Sequence, residues 1–178
     1  MALVFRVDTR LGVQVDFQAL LAVNSDAALN FFHTNLKGLV GLDARKDETL
    51  YVASVLANYA QTSRFERTSL PVMANLSEVF DNFVVNKSFM ADPGTLEIAG
   101  AQTLLLSGFF RQQMRRRHNV NWYDRLGSGF FEQVSERSKE DSRQEFFSQL
   151  ALRFPFWTLT CSELENHLRE RRLLLRLS

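Results

Sequence analysis

The sequence repeatedly places a helix-capping residue ahead of apolar residues that recur three and four positions apart. Residues at this spacing form one face of an α-helix, and Ser, Thr, Asp or Asn before them marks its start. Only 8 Gly and 3 Pro occur in 178 residues, too few for the turns of a many-stranded β-sandwich. We therefore predict an all-α helical bundle of about seven helices. The predicted helices begin at Ser25, Asp47, between Ser69 and Asn75, and at Thr95, Asn121, Ser138 and Ser162.

Several of these boundaries carry a second signal. Gly38 is expected to end the first helix, and Pro155 to end or kink the sixth, because proline cannot continue a helix. Ser138 with Asp141 approximates a capping box, and Ser162 opens a complete one. These residues therefore set the expected limits of the first, sixth and seventh helices.

The segment Thr95–Arg117 is predicted to be the central helix of the bundle. It is apolar around much of its circumference over its first turns, which is typical of a helix that other helices surround. We expect its apolar side chains to be mostly buried. They include Leu104, Leu105, Leu106 and Phe109.

Small residues recur at helical spacing on two of the predicted helices, where they would let backbones approach closely. Ala101 and Gly108 lie seven positions apart, and the second helix carries a stripe of Ala53, Ala57 and Ala60. Glycine inside a helix costs about 1 kcal/mol relative to alanine. Gly108 therefore indicates a packing requirement, whereas Gly127-Ser128-Gly129 fits either a packing requirement or a break in the helix.

Residues 1–17 are the exception to the helical pattern. In LVFRV and VQVDF the β-branched and aromatic residues alternate with polar ones around DTRLG, which is typical of a short hairpin. A helix from Asp16 to Val23 competes for part of this stretch. Because two isolated strands are only marginally stable, we expect an extended or hairpin-like arm that lies on the helices or pairs with another chain.

Length, charge and cysteine content limit the class of protein. A chain of 178 residues predicts a single domain, residues 1–178. The net charge of +1 provides no overall field that would attract nucleic acid or an anionic membrane. Cys161 is the only cysteine, which excludes an internal disulfide and favours a reducing, cytoplasmic location. The longest apolar stretch, Ile98–Phe110, is too short to cross a bilayer, so we predict no membrane span.

No pattern in the sequence indicates catalysis. Glu163, His167 and Glu170 fall on one face of the last predicted helix, but arginines are interspersed with them, which indicates a solvated, salt-bridged face, and no metal site is predicted. Cys161 has no sequence neighbour that would activate it. We therefore expect no cofactor and favour a non-enzymatic function.

One segment, Arg111–Arg125, combines positive charge with aromatic side chains. It contains five Arg and one Asp, and guanidinium groups beside aromatic rings are typical of binding surfaces. The candidate binding residues are Arg111, Arg115, Arg116, Arg117, His118, Trp122 and Tyr123.

Helical spacing gives these candidates directions. Phe110 and Met114 should face the core, and Arg111, Arg115 and His118 should form an outward stripe. Trp122 begins an apolar stripe and is therefore expected in the core. The stripe continues through Leu126, Phe130 and Val134.

Three roles for this segment are open. The first is structural: the arginines complement the negative end of a helix dipole and pair with acidic residues such as Glu136, Glu140 and Asp141. The second is a surface for a protein partner. The third is nucleic-acid binding, which ranks last because contacts to phosphates usually need a wider basic face.

Phenylalanine is unusually frequent, with 16 residues, many of them in adjacent pairs. Such pairs fill a core, build the interface of a homodimer or line a cavity for an apolar ligand. We expect a protein-interaction or scaffold module that binds a protein partner or a second copy of itself. A helical binder of an apolar small molecule is the second hypothesis, and a nucleic-acid-binding protein is the third.

Overall fold

The computed structural model describes residues 6–8, 14–16, 25–41, 44–65 and 92–174. Over these ranges the chain forms seven α-helices, one π-helical segment and two short strands. The all-α prediction is confirmed. The helix predicted to begin between Ser69 and Asn75 lies outside the described residues.

The elements are β1 (Arg6–Asp8), β2 (Gln14–Asp16), α1 (Ser25–Val40), α2 (Lys46–Phe65), α3 (Pro93–Leu104), the π segment (Leu105–Phe109), α4 (Arg111–Arg115), α5 (Val120–Arg137), α6 (Asp141–Leu152) and α7 (Phe154–Leu174).

The chain divides into two compact units. The first contains β1, β2, α1, α2 and the part of α7 from Glu163 onward, and the second contains α3 to α6 and α7 up to Ser162. That the whole chain is a single domain stays a prediction. In the first unit β1 and β2 pair antiparallel, with Val7 opposite Val15.

In the first unit α1 packs against α2. The Ala53, Ala57 and Ala60 stripe is buried, whereas Leu50 on the same helix is exposed. The prediction that Gly38 ends α1 is wrong, because the helix continues to Val40. Gly41 follows it with φ of 59°, a left-handed conformation that glycine adopts without strain at a helix end.

In the second unit α5 packs against both α3 and α6. Its core contains a group of fully buried phenylalanine rings. The Phe131 ring centroid lies 5.6 Å from that of Phe147 and 5.8 Å from that of Phe154. Adjacent Phe146 and Phe147 also contact each other edge to face. These rings fill the space between helices, and the apolar-ligand hypothesis stays a prediction.

Three glycines of the second unit mark places where helices nearly touch. A Cβ atom on Gly127 would lie 2.1 Å from Cζ of Phe154, and one on Gly108 would lie 3.0 Å from Cβ of Cys161. A Cβ on Gly100 would lie 2.5 Å from the ring of Phe131. Since α5 is continuous from Val120 to Arg137, the packing explanation of Gly127 is the correct one. Gly129 differs from these three, because a Cβ at its position would meet no atom within 4 Å.

Two predicted helix starts are displaced by a few residues. Asp92 rather than Thr95 caps α3: its Oδ2 accepts hydrogen bonds from the Thr95 amide at 2.8 Å and the Thr95 hydroxyl at 2.9 Å. Asn119 rather than Asn121 precedes α5. An Asp ahead of Pro is a complete signal for a helix start. The Asp carboxylate accepts a hydrogen bond from an amide of the first turn, and Pro has no amide hydrogen that would need an acceptor there.

Two predicted capping boxes are not formed. Ser138 closes α5 instead of opening α6, and its hydroxyl donates to the Val134 carbonyl at 2.6 Å. Ser162 lies inside α7, which already begins at Phe154. Pro155 is tolerated in the first turn of α7 because the amides of that turn have no partner within the helix. The capping-box motif alone therefore did not define a helix start.

The predicted central helix, Thr95–Arg117, is not one continuous α-helix. Leu104, Leu105 and Leu106 are buried as expected, but Phe109 is only half-buried. The Phe110 amide donates to the Leu105 carbonyl at 2.9 Å, five residues back, which makes the intervening turn π-helical. One extra residue in a turn rotates everything after it by about 100° relative to an uninterrupted α-helix. The faces of α4 therefore differ from those that a continuous helix would present.

Candidate functional site

The turn between α4 and α5 rests on a small apolar cluster. Met114 near the end of α4 and Val120 at the start of α5 are buried together with Leu106. The partly buried rings of Phe110 and Tyr123 pack against this cluster. Burial of these side chains fixes the angle at which the two helices meet, and so fixes the positions of the polar residues around them.

Arg111 faces inward, contrary to the predicted outward stripe. Its Nη1 lies 3.1 Å from Oδ2 of Asp124 in an ion pair whose side chains are only 14% and 12% exposed. The same nitrogen donates to the Ser107 carbonyl at 2.8 Å and lies 3.5 Å from the Thr158 hydroxyl. Arg111 lies three residues before the fully buried Met114 on α4, so the two side chains share a helix face that points into the unit. Arg111 therefore joins the π segment to α5 and is not part of an exposed binding surface.

Trp122 is 39% exposed, so the prediction that it lies in the core is wrong. Its ring contacts that of Tyr123 edge to face, with centroids 4.9 Å apart. The ring of His118 contacts Tyr123 on another side at 5.9 Å. Tyr123 takes the inner position of the three, and its partial burial raises the pKa of its hydroxyl. Trp122 therefore packs against Tyr123 on one side, and part of its ring faces solvent.

Four arginines surround this aromatic group in the sequence and are exposed. Arg115 ends α4, Arg116 and Arg117 form the turn, and Arg125 lies three residues after Trp122 on α5. Within the described residues none of the four forms an ion pair, so the expected pairing with Glu136, Glu140 or Asp141 is not formed there. The α4–α5 corner is the surface formed by Arg115, Arg116, Arg117, His118, Trp122, Tyr123 and Arg125.

The structure places six of the seven predicted site residues at the turn between α4 and α5, where His118, Trp122 and Tyr123 are in ring contact, and it directs Arg111 into the ion pair with Asp124. Sequence reasoning left out Arg125, although Trp122 and Arg125 at positions i and i+3 share a helix face. It also left out Asp124, the single acid of a basic segment, which is a detectable sign of an internal ion pair. The Thr158 contact joins residues 47 positions apart, and no local pattern reveals it.

No family model, curated protein or solved structure matches the chain. Function is therefore inferred from the chemistry of these residues.

The remaining candidates for chemistry are placed as follows. Cys161 is buried against Gly108, and burial raises the pKa of its thiol to about 12, so the thiol stays protonated and unreactive at neutral pH. In the described part of the chain, no three His, Cys, Asp or Glu side chains are grouped to hold a metal ion. His167 and Glu163 are exposed on α7.

The length and hydropathy of the helices bear on membrane insertion. Among the residues that the structure describes, no helix is both long enough and apolar enough to span a membrane.

Proposed function

We propose that this chain is a non-enzymatic, cytoplasmic protein-interaction module and that its partner docks on the α4–α5 corner. The observation that carries the proposal is the exposed ring of Trp122 among four exposed arginines that form no ion pair within the described residues. Trp, Tyr and Arg are the residue types most enriched among side chains that dominate binding energy at protein interfaces. The α4–α5 corner exposes Trp122 and the arginines, and the partly buried Tyr123 lies beside Trp122.

The construction of the corner supports a binding role over a purely structural one. An arginine that only complements a helix end contributes about 0.3 to 1 kcal/mol, and this role does not require an exposed tryptophan. Tyr123 and the buried cluster below it hold Trp122 before any partner arrives. A side chain that is already held loses little conformational entropy on binding, which raises the affinity of the surface.

The chemistry of Cys161 and the composition of the chain support the other parts of the proposal. The thiol is buried and protonated at neutral pH, which favours a structural role for this nucleophile. A single cysteine favours a reducing compartment.

Site-specific photo-crosslinking in the cells that produce the protein tests this proposal. Asn121 is exposed beside Trp122, and we would replace it with p-benzoylphenylalanine in the full chain. The same replacement at Ser148, exposed on α6, is the control position. We expect a discrete adduct with a protein from position 121 and none of the same size from position 148.

Charge variants then show whether that adduct depends on the corner. Arg115→Ala with Arg116→Ala should abolish the adduct, whereas Arg137→Ala at the far end of α5 should leave it. Arg137 is a matched control because it is also exposed and positively charged. An adduct of equal yield in all three proteins would contradict the proposal, as would equal crosslinking from positions 121 and 148.

A further inference from the structure

The charges along α5 change sign over a short distance. Arg125 is exposed near its start, and Glu132 and Glu136 are exposed further along the same helix. At 1.5 Å per residue, Arg125 and Glu132 are separated by about 10 Å along the axis. This distance is close to the Debye length at physiological salt. A partner confined to the corner is therefore attracted or repelled mainly by the arginines, whereas a partner that extends along α5 also interacts with the glutamates.

This change of sign discriminates between anionic partners. A nucleic-acid backbone carries a charge at every step and would approach the glutamates of α5 if it followed the helix. A protein segment with a few carboxylates can place them at the corner and leave neutral residues elsewhere. The local positive charge therefore complements an acidic protein segment better than a continuous polyanion.

The arginines and the tryptophan set two requirements for such a segment. Guanidinium groups bind carboxylates through paired, charge-assisted hydrogen bonds. The exposed part of the Trp122 ring offers apolar area, which an aliphatic or aromatic side chain would remove from water. Acidic residues beside an apolar one satisfy both requirements at the same surface.

We infer that the partner of the α4–α5 corner is an acidic protein segment in which carboxylates flank an aliphatic or aromatic anchor, the carboxylates binding Arg115, Arg116, Arg117 and Arg125 and the anchor packing on Trp122. This inference rests on the proposed function, since it names the kind of partner that the same surface takes. The partner's charge, its apolar anchor and the dependence on these residues are separately measurable.

Selection of short random peptides displayed on phage against the purified full chain tests the inference. We expect the enriched peptides to be acidic and to contain an aliphatic or aromatic residue. Synthetic copies should bind in fluorescence-polarisation titrations with an affinity that falls as salt is raised, because the contacts are ionic. Trp122→Ala should weaken binding about 30-fold, the loss typical of a dominant interface residue.

Matched variants identify the surface that the peptides use. Arg115→Ala with Arg116→Ala should weaken binding about tenfold or more, and Arg137→Ala less than about twofold. Leu159→Ala, which removes a 57% exposed apolar side chain outside the corner, should have no effect. Circular dichroism of each variant establishes that it is folded, and Trp122→Phe, which keeps an aromatic ring, should retain part of the affinity.

The failures of the two proposals are distinguishable. Neutral or basic peptides that depend on the corner would overturn the acidic-segment inference and leave the docking surface intact. Enriched peptides that bind every corner variant equally would contradict both. A library that yields no binder, or an oligothymidylate that binds through the same arginines more tightly than any peptide, would also overturn the inference.

Discussion

The close contact between α5 and α7 gives a sharp test of the packing in the second unit. We consider Gly127→Ala, which adds one methyl group to the middle of α5. Its carbon would lie 2.1 Å from Cζ and 2.7 Å from Cε1 and Cε2 of Phe154. Carbon atoms in ordinary contact are about 3.5 to 4.0 Å apart, so either the ring or the helix must shift by about 1.5 Å. The Phe154 ring is fully buried and packs on Phe131, which leaves it little room to move.

The expected magnitude combines two opposing effects. Overpacking of a filled core costs about 1 to 3 kcal/mol, and a rigidly held ring favours the upper end. Replacing Gly with Ala inside a helix returns about 1 kcal/mol. Gly127→Ala should therefore lower the free energy of unfolding by about 2 kcal/mol.

Gly129→Ala is the matched control, because it makes the same chemical change two residues away on the same helix. A Cβ on Gly129 meets no atom within 4 Å, so only the gain in helix propensity remains, about 1 kcal/mol of stabilisation. The two variants should therefore differ by about 3 kcal/mol.

Urea denaturation followed by far-ultraviolet circular dichroism measures both variants against the parent chain. The urea midpoint should fall for Gly127→Ala and rise for Gly129→Ala, with the slope of each transition unchanged. Equal stability of the two variants would refute the close approach of α5 to Phe154 and the packing explanation of Gly127.

Two further predictions concern ionisable groups. The Cys161 thiol should react with a maleimide no faster than the second unit opens, because burial raises its pKa to about 12. Mass spectrometry would follow the labelling of the native chain over time, with the chain in urea as the fully labelled reference. Fast labelling of the native chain would show an accessible thiolate. The Thr95 amide and hydroxyl, donating to the exposed carboxylate of Asp92, lower the pKa of Asp92 in the folded chain below its ordinary value of 3.8. The unfolded chain therefore takes up this proton first as the pH falls, so the stabilisation by Asp92 is complete above its unfolded pKa and is lost as the pH drops through its folded one. Asp92→Ala should lower the melting temperature at neutral pH, and its difference from the parent should shrink below about pH 4; a difference independent of pH would show that the charge contributes nothing.

The sequence by itself was sufficient for the fold class and for most helix locations. Apolar periodicity and capping residues are local signals, and the described helices α1, α2, α3, α5 and α6 begin within three residues of the predicted starts. The burial of Leu104 to Leu106 followed from the apolarity of that segment around much of its circumference. The Arg111–Arg125 segment was also recognisable from its charge and aromatic content alone.

Some sequence signals are compatible with two local structures, and the tertiary structure decided between them. A serine hydroxyl can cap a helix start or donate back to a carbonyl of the preceding turn, and Ser138 does the latter at the end of α5. Gly127 fits a kink or a close contact, and the ring of Phe154 decides for the contact. Each choice depends on residues that are distant in sequence.

The site was decided in the same way. The shared spacing of Arg111, Arg115 and His118 predicted an outward stripe, but Asp124 on α5 pairs with Arg111 at 3.1 Å, away from solvent. The apolar stripe of α5 would have buried Trp122, but the packing ends at Val120 and Tyr123 and leaves Trp122 partly in solvent. Sequence periodicity determines which residues share a helix face. Only the arrangement of the neighbouring helices determines how far along that face the burial extends.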